Sequence, residues 1–476
     1  MLLRVPDLPR PSVASVDRAA IELARVLGDS RVIRGEGCAP YASDESEVLG
    51  PGADIVVLAD DLECVRSTLE IAARNDVPVT PRAGGTGRTG GAVPAAGGIV
   101  LATDKLSRVK EIDRKNLIAV VEPGVVLGAF HDLVEAEGLF YPPDPNSLAS
   151  CCLGGNVAEN AGGPRAFRYG VTREYVLGLE TVLMGGTVVR SGKRTVKGVA
   201  GYDVTALLVG SEGTLGVFSE ITLRLVRKPE GVSTLLAIYT DAASAARSVE
   251  KMIAEGIVPR CMELMDARTL EAIRSQKVEV DPRAGALLLM ELDGTERHRE
   301  ESLERVAEAI GSAEGVIDIV VAKDESQRAH LWSARRALSP ATRKLAKHKL
   351  SEDVVVPRAS LTTLLERVEA IGEKTKIKHL TYGHAGDGNM HVNFLWNDDE
   401  ERPRVDDAIE MLMRDTVALG GTISGEHGIG ITKLPYLPIE QSPELIALQR
   451  NIKSAFDPKG LLNPGKIFQQ AGHKLC

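Results

Sequence analysis

Residues 81–94 read Pro81-Arg82-Ala83-Gly84-Gly85-Thr86-Gly87-Arg88-Thr89-Gly90-Gly91-Ala92-Val93-Pro94, and the fold turns on what this loop is. Gly85, Gly87 and Gly90 match the Gly-x-Gly-x-x-Gly dinucleotide pattern letter for letter, after a run that reads as a strand. A Rossmann loop must open a helix whose N-terminus holds the pyrophosphate. Here Gly97-Gly98 follow Pro94, and the next strand-like run, Ile99–Ala102, begins too soon to leave room for that helix. What remains is either a loop that exposes successive backbone N–H groups as an anion-binding nest or an ordinary glycine-rich turn.

Two further blocks weigh against the turn. The first runs Pro142-Pro143-Asp144-Pro145-Asn146-Ser147, Gly154-Gly155-Asn156-Val157-Ala158-Glu159-Asn160-Ala161-Gly162-Gly163, then Arg168-Tyr169-Gly170. The second holds Gly201-Tyr202-Asp203 and Gly210-Ser211-Glu212-Gly213-Thr214-Leu215-Gly216-Val217. Three segments of small residues and side-chain amides suit a long cofactor lying extended across a domain. Around them the pattern is layered α/β: an amphipathic helix over 15–29 with Val16, Ala19, Ala20, Leu23 and Val26 on one face, a strand at Asp54–Ala59, a helix at Leu62–Asn75 and a strand at Val77–Thr80. After Val226 the texture shifts to strand-like runs at 233–239 and 286–292 and helix-like runs at 242–255 and 300–310, which predicts an α+β domain with an antiparallel sheet; further helices are expected at 361–372 and 404–419.

At roughly 100–200 residues per domain, 476 residues suggest two to four domains. A net charge of −9 argues against a nucleic-acid scaffold or a basic membrane-surface protein. The first twenty residues lack the apolar core of a secretory signal, and no run of about 18 apolar residues supplies a membrane span. Cysteines stand at 38, 64, 151, 152, 261 and 476 without a Cys-x-x-Cys pair. That predicts reduced thiols, a cytoplasmic location and no cysteine-ligated iron–sulfur cluster of the chain's own.

Tyr382-Gly383-His384-Ala385-Gly386-Asp387-Gly388-Asn389-Met390-His391-Val392-Asn393-Phe394 carries a tight-turn signal and then an alternating strand, with Met390, Val392 and Phe394 on one side and His391 and Asn393 on the other. His384, before the turn, folds back towards His391. Ser424-Gly425-Glu426-His427-Gly428-Ile429-Gly430 adds a carboxylate and an imidazole between glycines. Two imidazoles and a carboxylate form a ligand set for a divalent cation, zinc or manganese, that leaves positions open for substrate.

Together with Asn463-Pro464-Gly465-Lys466, these blocks resemble the flavin-binding domain of the vanillyl-alcohol oxidase/p-cresol methylhydroxylase superfamily. From about residue 35 to 470 the chain resembles the branch that contains the flavin subunit of glycolate oxidase together with D-lactate dehydrogenase and D-2-hydroxyglutarate dehydrogenase. The resemblance implies an α+β architecture: an N-terminal helical segment 1–50, an FAD-binding domain 51–228, a substrate or cap domain 229–420, and a C-terminal segment 421–476 that returns to the flavin. It implies FAD on Arg82, Ala83, Gly84, Gly85, Thr86, Gly87, Gly91, Pro143, Ser147, Gly154, Gly155, Asn156, Asn160, Gly163, Glu212, Gly213, Val217 and Asn463. No His lies between 80 and 100 to attach the flavin, so binding is expected to be non-covalent.

It further implies His384, His391 and Glu426 as metal ligands, His427 as the base, and Arg335 as the anchor of the substrate carboxylate, with Arg336 as the fallback. Asn393 would contact the substrate hydroxyl or carboxylate. The implied reaction is oxidation of a small D-2-hydroxy acid to the 2-oxo acid. Relatives acting on D-2-hydroxyglutarate carry a Lys two residues before Asp353, where this chain has Ser351, so glycolate or D-lactate is favoured; Lys349 or Lys347 would have to compensate for the longer acid. Electrons would pass to a separate acceptor: an iron–sulfur subunit, an electron-transfer flavoprotein, a quinone or a cytochrome, with peripheral membrane association only through such a partner. Homo-oligomerisation is left open. The competing classes are a metal-dependent hydrolase built on the two His and one Glu, and a non-catalytic flavin-binding subunit.

Overall fold

The computed structural model describes residues 5, 7–46 and 48–468. Two compact units emerge: one comprises residues up to 162, 171–228 and 426 onward, the other 163–170 and 229–425.

In the first unit a four-stranded sheet runs in the order Val32–Arg34, Ile55–Leu58, Ile99–Ala102, Val79–Arg82. The first pair is antiparallel and the other two are parallel. Helices Val13–Leu27 and Leu62–Arg74 cover it, capped by Ser12 and Asp61. Val16, Ala19, Ala20 and Leu23 of one helix and Val65, Leu69 and Ala72 of the other share a core with Ile55, Val57, Ile99 and Leu101. Each fully buried leucine or valine contributes roughly 1.5–3 kcal/mol. Val26, assigned to this stripe from its spacing, instead stands exposed beyond it. The strand expected at Val77–Thr80 begins two residues later. The Pro78 carbonyl accepts the Ile99 N–H at 2.8 Å and parallel pairing starts at Val79, while Val79 also pairs with the C-terminal stretch through Leu461 and Asn463. The N-terminal stretch is thus an integral part of this unit: its strand Val32–Arg34 closes one edge of the sheet.

A second, five-stranded antiparallel sheet follows in the order Val109–Asp113, Ile118–Val121, Val217–Arg224, Val176–Val182, Val188–Gly192. Phe130 and Val134 of helix Leu127–Ala136 pack on its Val121, Leu179, Ile221 and Leu223. The loop from Arg82 to Gly98 contains no helix, as the strand spacing requires.

The other unit is built on seven strands, all antiparallel: Val316–Val321, Gly231–Tyr239, Ala286–Gly294, Cys261–Asp266, Lys378–His384, Asn389–Trp396 and His348–Val355. The antiparallel sheet expected for 231–330 therefore extends through the histidine hairpin. One face packs against helices Ala267–Ser275, Glu325–Arg336 and Leu338–Arg343 through Met265, Leu270, Leu287, Leu289, Leu331 and Leu338. Helices Ala242–Ala254 and Glu296–Gly311 contact the strand Ala286–Gly294, and Leu361–Thr375 packs on Ala242–Ala254 and Arg402–Ala418. No helix among the described residues is long and apolar enough to cross a membrane. The five described cysteines are buried thiols; Cys476 lies outside the described residues.

Candidate functional site

In the first unit the glycine blocks converge. A Cβ on Gly84 would lie 2.6 Å from the Ser150 carbonyl oxygen, and one on Gly213 would lie 3.2 Å from Pro81. A Cβ on Gly91 would lie 2.9 Å from Glu159. Asn463 ties these segments together: its Nδ2 donates to the Gly91 carbonyl at 3.0 Å and to the Glu212 carbonyl at 2.7 Å. Gly155 faces Ala83 across an ordinary van der Waals gap.

Several expected cofactor residues also have partners within the protein. Arg82 curls over Gly85 and donates to the Ser43 carbonyl at 2.6 Å. Pro143 offers its carbonyl to His131, the Ser147 carbonyl accepts from Ser150 and Cys151, and Asn160 accepts the Arg173 N–H. Gly154 lies tight against Pro123, and Val217 packs in the core. Gly163 opens the 163–170 segment of the other unit.

The first unit meets the chemical needs of FAD. The N–H groups of Gly84, Gly85, Thr86 and Gly87 donate to no protein acceptor among the described residues, which is the nest a pyrophosphate requires. Asn156 Nδ2 and Asn463 Oδ1 are buried with no hydrogen-bond partner among the described residues, and burying such groups without a partner costs free energy that a cofactor's polar edge offsets.

The stretch carrying His427 is held from two sides within this unit. The Glu212 carboxylate accepts the Ile429 N–H at 2.8 Å through one oxygen and the Gly430 N–H at 2.7 Å through the other. Thr89 donates its hydroxyl to the His427 carbonyl at 3.0 Å and accepts the Ile431 N–H at 2.7 Å. Gly428 has φ +78°, and a Cβ there would lie 2.3 Å from Glu159 Oε2 and 2.9 Å from Glu212 Oε1, so both the conformation and the space call for glycine. Glu426 Oε1 lies 4.0 Å from His427 Nε2. Burial, then the charges of Glu212 and Asp44, pushes the Glu159 carboxyl well above the usual carboxylate range. Burial also raises Glu212, although the two N–H donors, Lys466 and Lys433 oppose it.

In the other unit, the turn after His384 returns the chain so that Tyr382 pairs with His391 and His384 with Asn389. His384 and His391 then occupy the same face one diagonal apart, their rings edge to face with centroids 5.3 Å apart. The predicted alternation holds, with Met390, Val392 and Phe394 on the opposite face; the histidine face is buried too.

Two buried carboxylates back the two imidazoles. Glu263 accepts from His384 Nδ1 at 2.5 Å through one oxygen and from Arg335 Nε at 2.5 Å through the other. Burial works to raise the Glu263 pKa, but His384 and Arg335 hold it down to about 2. Asp353 pairs across the strands with His391; its Oδ1 lies 3.9 Å from His391 Nδ1 and accepts Asn389 Nδ2 at 2.5 Å, while Oδ2 accepts the Gly425 N–H at 2.9 Å. Arg335 reaches this layer because its helix is stapled to the sheet. Arg328 Nε, two turns earlier, and Trp332 Nε1, one turn earlier, donate to Glu291 at 3.0 and 2.8 Å. The Arg335 guanidinium also lies over the Tyr382 ring at 5.3 Å. Arg336 is exposed and donates to the Ala329 carbonyl of its own helix. Asn393 donates back to the His391 carbonyl at 3.0 Å, leaving a buried Oδ1 with no hydrogen-bond partner among the described residues.

Sequence reasoning missed Glu263 and the clamp role of Glu212. The signal for Glu263 was a carboxylate in the middle of the apolar run Cys261-Met262-Glu263-Leu264-Met265. A strand buried on both faces retains such a residue only where partners await it.

A glycine nest with free amides in one unit, and an imidazole–carboxylate–guanidinium layer in the other, are the parts of a flavin-dependent oxidoreductase. The chain belongs to the FAD-linked oxidases of the vanillyl-alcohol oxidase/p-cresol methylhydroxylase superfamily: it matches the FAD binding domain family over residues 53–192 and the FAD linked oxidases, C-terminal domain, over 228–467. It is 39% identical over 437 residues to the glycolate oxidase subunit GlcD of Bacillus subtilis, covering 91% of this chain and 93% of that one. It is 32% identical over 460 residues to the D-lactate dehydrogenase of Anaerostipes hadrus, covering 94% of this chain and 96% of that one. Among solved structures it shares its fold with p-cresol methylhydroxylase, at a TM-score of 0.80 and 17% identity over 97% of this chain and 98% of that one. The metal-dependent hydrolase is set aside by these matches.

Proposed function

We propose that the protein oxidises a small D-2-hydroxy acid, D-lactate or glycolate, to the corresponding 2-oxo acid. The observation that carries this reading is the histidine hairpin: His384 and His391 edge to face on a layer of carboxylates, with Arg335 fixed in the same layer. The names of the relatives, a glycolate oxidase subunit and a D-lactate dehydrogenase, support the substrate class.

In this reading FAD would supply the hydride acceptor for C2 of the substrate. His384, His391 and Glu426 would hold a divalent cation, which would supply the Lewis acidity that lowers the pKa of the substrate hydroxyl. Chain continuity supports Glu426 as the third ligand, because it follows directly on Gly425, whose N–H is anchored on Asp353. Arg335 grips the substrate carboxylate, His427 takes the hydroxyl proton, and the Asn393 amide meets the hydroxyl or carboxylate. Electrons leave to a separate acceptor; the word subunit in the relatives' names supports a partner protein in that role.

A longer dicarboxylate, D-2-hydroxyglutarate, is the second reading, because Lys349 shares a strand face with Ser351 and Asp353. The test is an anaerobic titration of the purified flavoprotein with D-lactate, L-lactate, glycolate and D-2-hydroxyglutarate, with and without prior chelation. Bleaching of the flavin band by D-lactate or glycolate, abolished by chelation and restored by Zn²⁺ or Mn²⁺, is the expected result. A flavin band that none of these acids bleaches with metal restored would overturn the proposal.

A further inference from the structure

We infer that Glu263 is a positioning residue that fixes the cation ligand His384 and the substrate anchor Arg335 in one rigid frame; this rests on the roles proposed above for those two residues. Glu263 is fully buried on the strand Cys261–Asp266 and pairs across to His384 on the neighbouring strand. Each carboxylate oxygen serves a different partner, Oε1 the His384 ring and Oε2 the Arg335 guanidinium, both at 2.5 Å.

The first contact settles which ring nitrogen of His384 carries the proton. A carboxylate only accepts, so Nδ1 donates, and in the neutral ring that binds a cation Nε2 then carries the lone pair. The second contact orients the guanidinium, which is held at Nε by Glu263 and lies over the Tyr382 ring. One side chain therefore sets the distance between the group that would grip the carboxylate of a 2-hydroxy acid and the group that would hold the cation on its hydroxyl. A hydroxy acid with that spacing, carboxyl and hydroxyl on adjacent carbons, is what such a frame selects. The staple of Arg328 and Trp332 on Glu291 keeps the helix from sliding along this frame.

The test uses the full-length flavoprotein, stripped of metal by chelation, with Mn²⁺ alone as the probe and free ion followed by electron paramagnetic resonance. Glu263→Gln is expected to weaken Mn²⁺ binding about 10–100-fold. It is also expected to raise KM for D-lactate more than about tenfold in the metal-saturated enzyme, the cost of a misaligned anchor. Histidine ¹⁵N shifts should show the Nδ1–H tautomer of His384 in the native protein and lose it in the variant. Flavin content and thermal melting check the fold; where Glu263→Gln melts early, Glu263→Asp keeps the charge but is one methylene too short to reach both partners, and the same losses are expected. The double variant Glu263→Gln/Arg335→Gln removes the unbalanced buried charge. Weak Mn²⁺ binding that persists in it supports positioning. Recovery of native affinity would mean that Glu263 only balances Arg335, and would overturn the inference. If His384→Ala binds Mn²⁺ as tightly as the native protein, the cation-ligand reading itself fails; if His384→Ala loses Mn²⁺ while Glu263→Gln and Glu263→Asp keep it within twofold, the inference alone fails.

Discussion

Replacing Glu212 by alanine removes the clamp on the stretch that carries His427. Two bonds are lost, to the Ile429 N–H at 2.8 Å and the Gly430 N–H at 2.7 Å. Hydrogen bonds to a charged group contribute about 1.5–3 kcal/mol each, so the gross loss is about 3–6 kcal/mol. Part is returned, because Glu212 is buried and that burial raises its pKa, so the net cost lies below the gross figure. With roughly two-thirds of the gross figure surviving, the net cost is about 2–4 kcal/mol, and at roughly 2–4 °C per kcal/mol for a unit of this size the expected fall in Tm is about 4–16 °C. Glu212→Gln keeps one acceptor oxygen and should lose about half as much. Because the freed segment holds the proposed base, kcat should fall more than about tenfold while the flavin remains bound and KM changes little. The assay is thermal melting, flavin content and steady-state turnover with D-lactate on the same preparations. A Glu212→Ala protein that melts within about 2 °C of native with unchanged kcat would refute the clamp.

Glu159 carries the pH prediction. Its pKa is raised in the folded protein, so the folded state holds the proton more tightly than the unfolded chain. Stability from this group is full below the ordinary carboxyl pKa and is lost as pH rises through the raised folded value; Glu159→Gln should therefore flatten the decline in Tm on the alkaline side of about pH 4.5. Gly84→Ala drives a Cβ to 2.6 Å from the Ser150 carbonyl oxygen, a backbone atom that cannot swing away, and the purified variant should be largely colourless. Retained flavin at native stoichiometry would contradict the nest. Ser351→Lys, paired across from Asn393, should shift kcat/KM towards D-2-hydroxyglutarate over D-lactate by tenfold or more, read from parallel assays on the two acids.

Much of the flavin-binding half was legible because backbone chemistry writes itself into sequence. Glycine marks the places where the chain passes close to another group: Gly84 against the Ser150 carbonyl, and Gly91, Gly213 and Gly428 against the side chains of Glu159, Pro81 and Glu212. The strand spacing around Ile99 sufficed to exclude a Rossmann helix. The side-chain roles were less legible. The Arg82 guanidinium reaches the Ser43 carbonyl, and both Glu212 oxygens hold the His427 loop, partners that the glycine motifs around them do not announce. A motif names the residue type but not which of several acceptors in range it finds.

The sequence by itself determined the local periodicities, the helix caps, the hairpin that turns His384 back on His391, and the glycine positions, because each depends on neighbours a few residues away. Only the tertiary structure decided which carboxylate meets which imidazole. Glu263 lies 121 residues from His384 and 72 from Arg335, and Asp353 lies 72 from Gly425; the first pairing follows from strand order in the seven-stranded sheet, the others from the helix and the loop that pack beside it. Buried charges are tolerated only with their partners present, and partners that distant are chosen by the packing of the sheet and its helices.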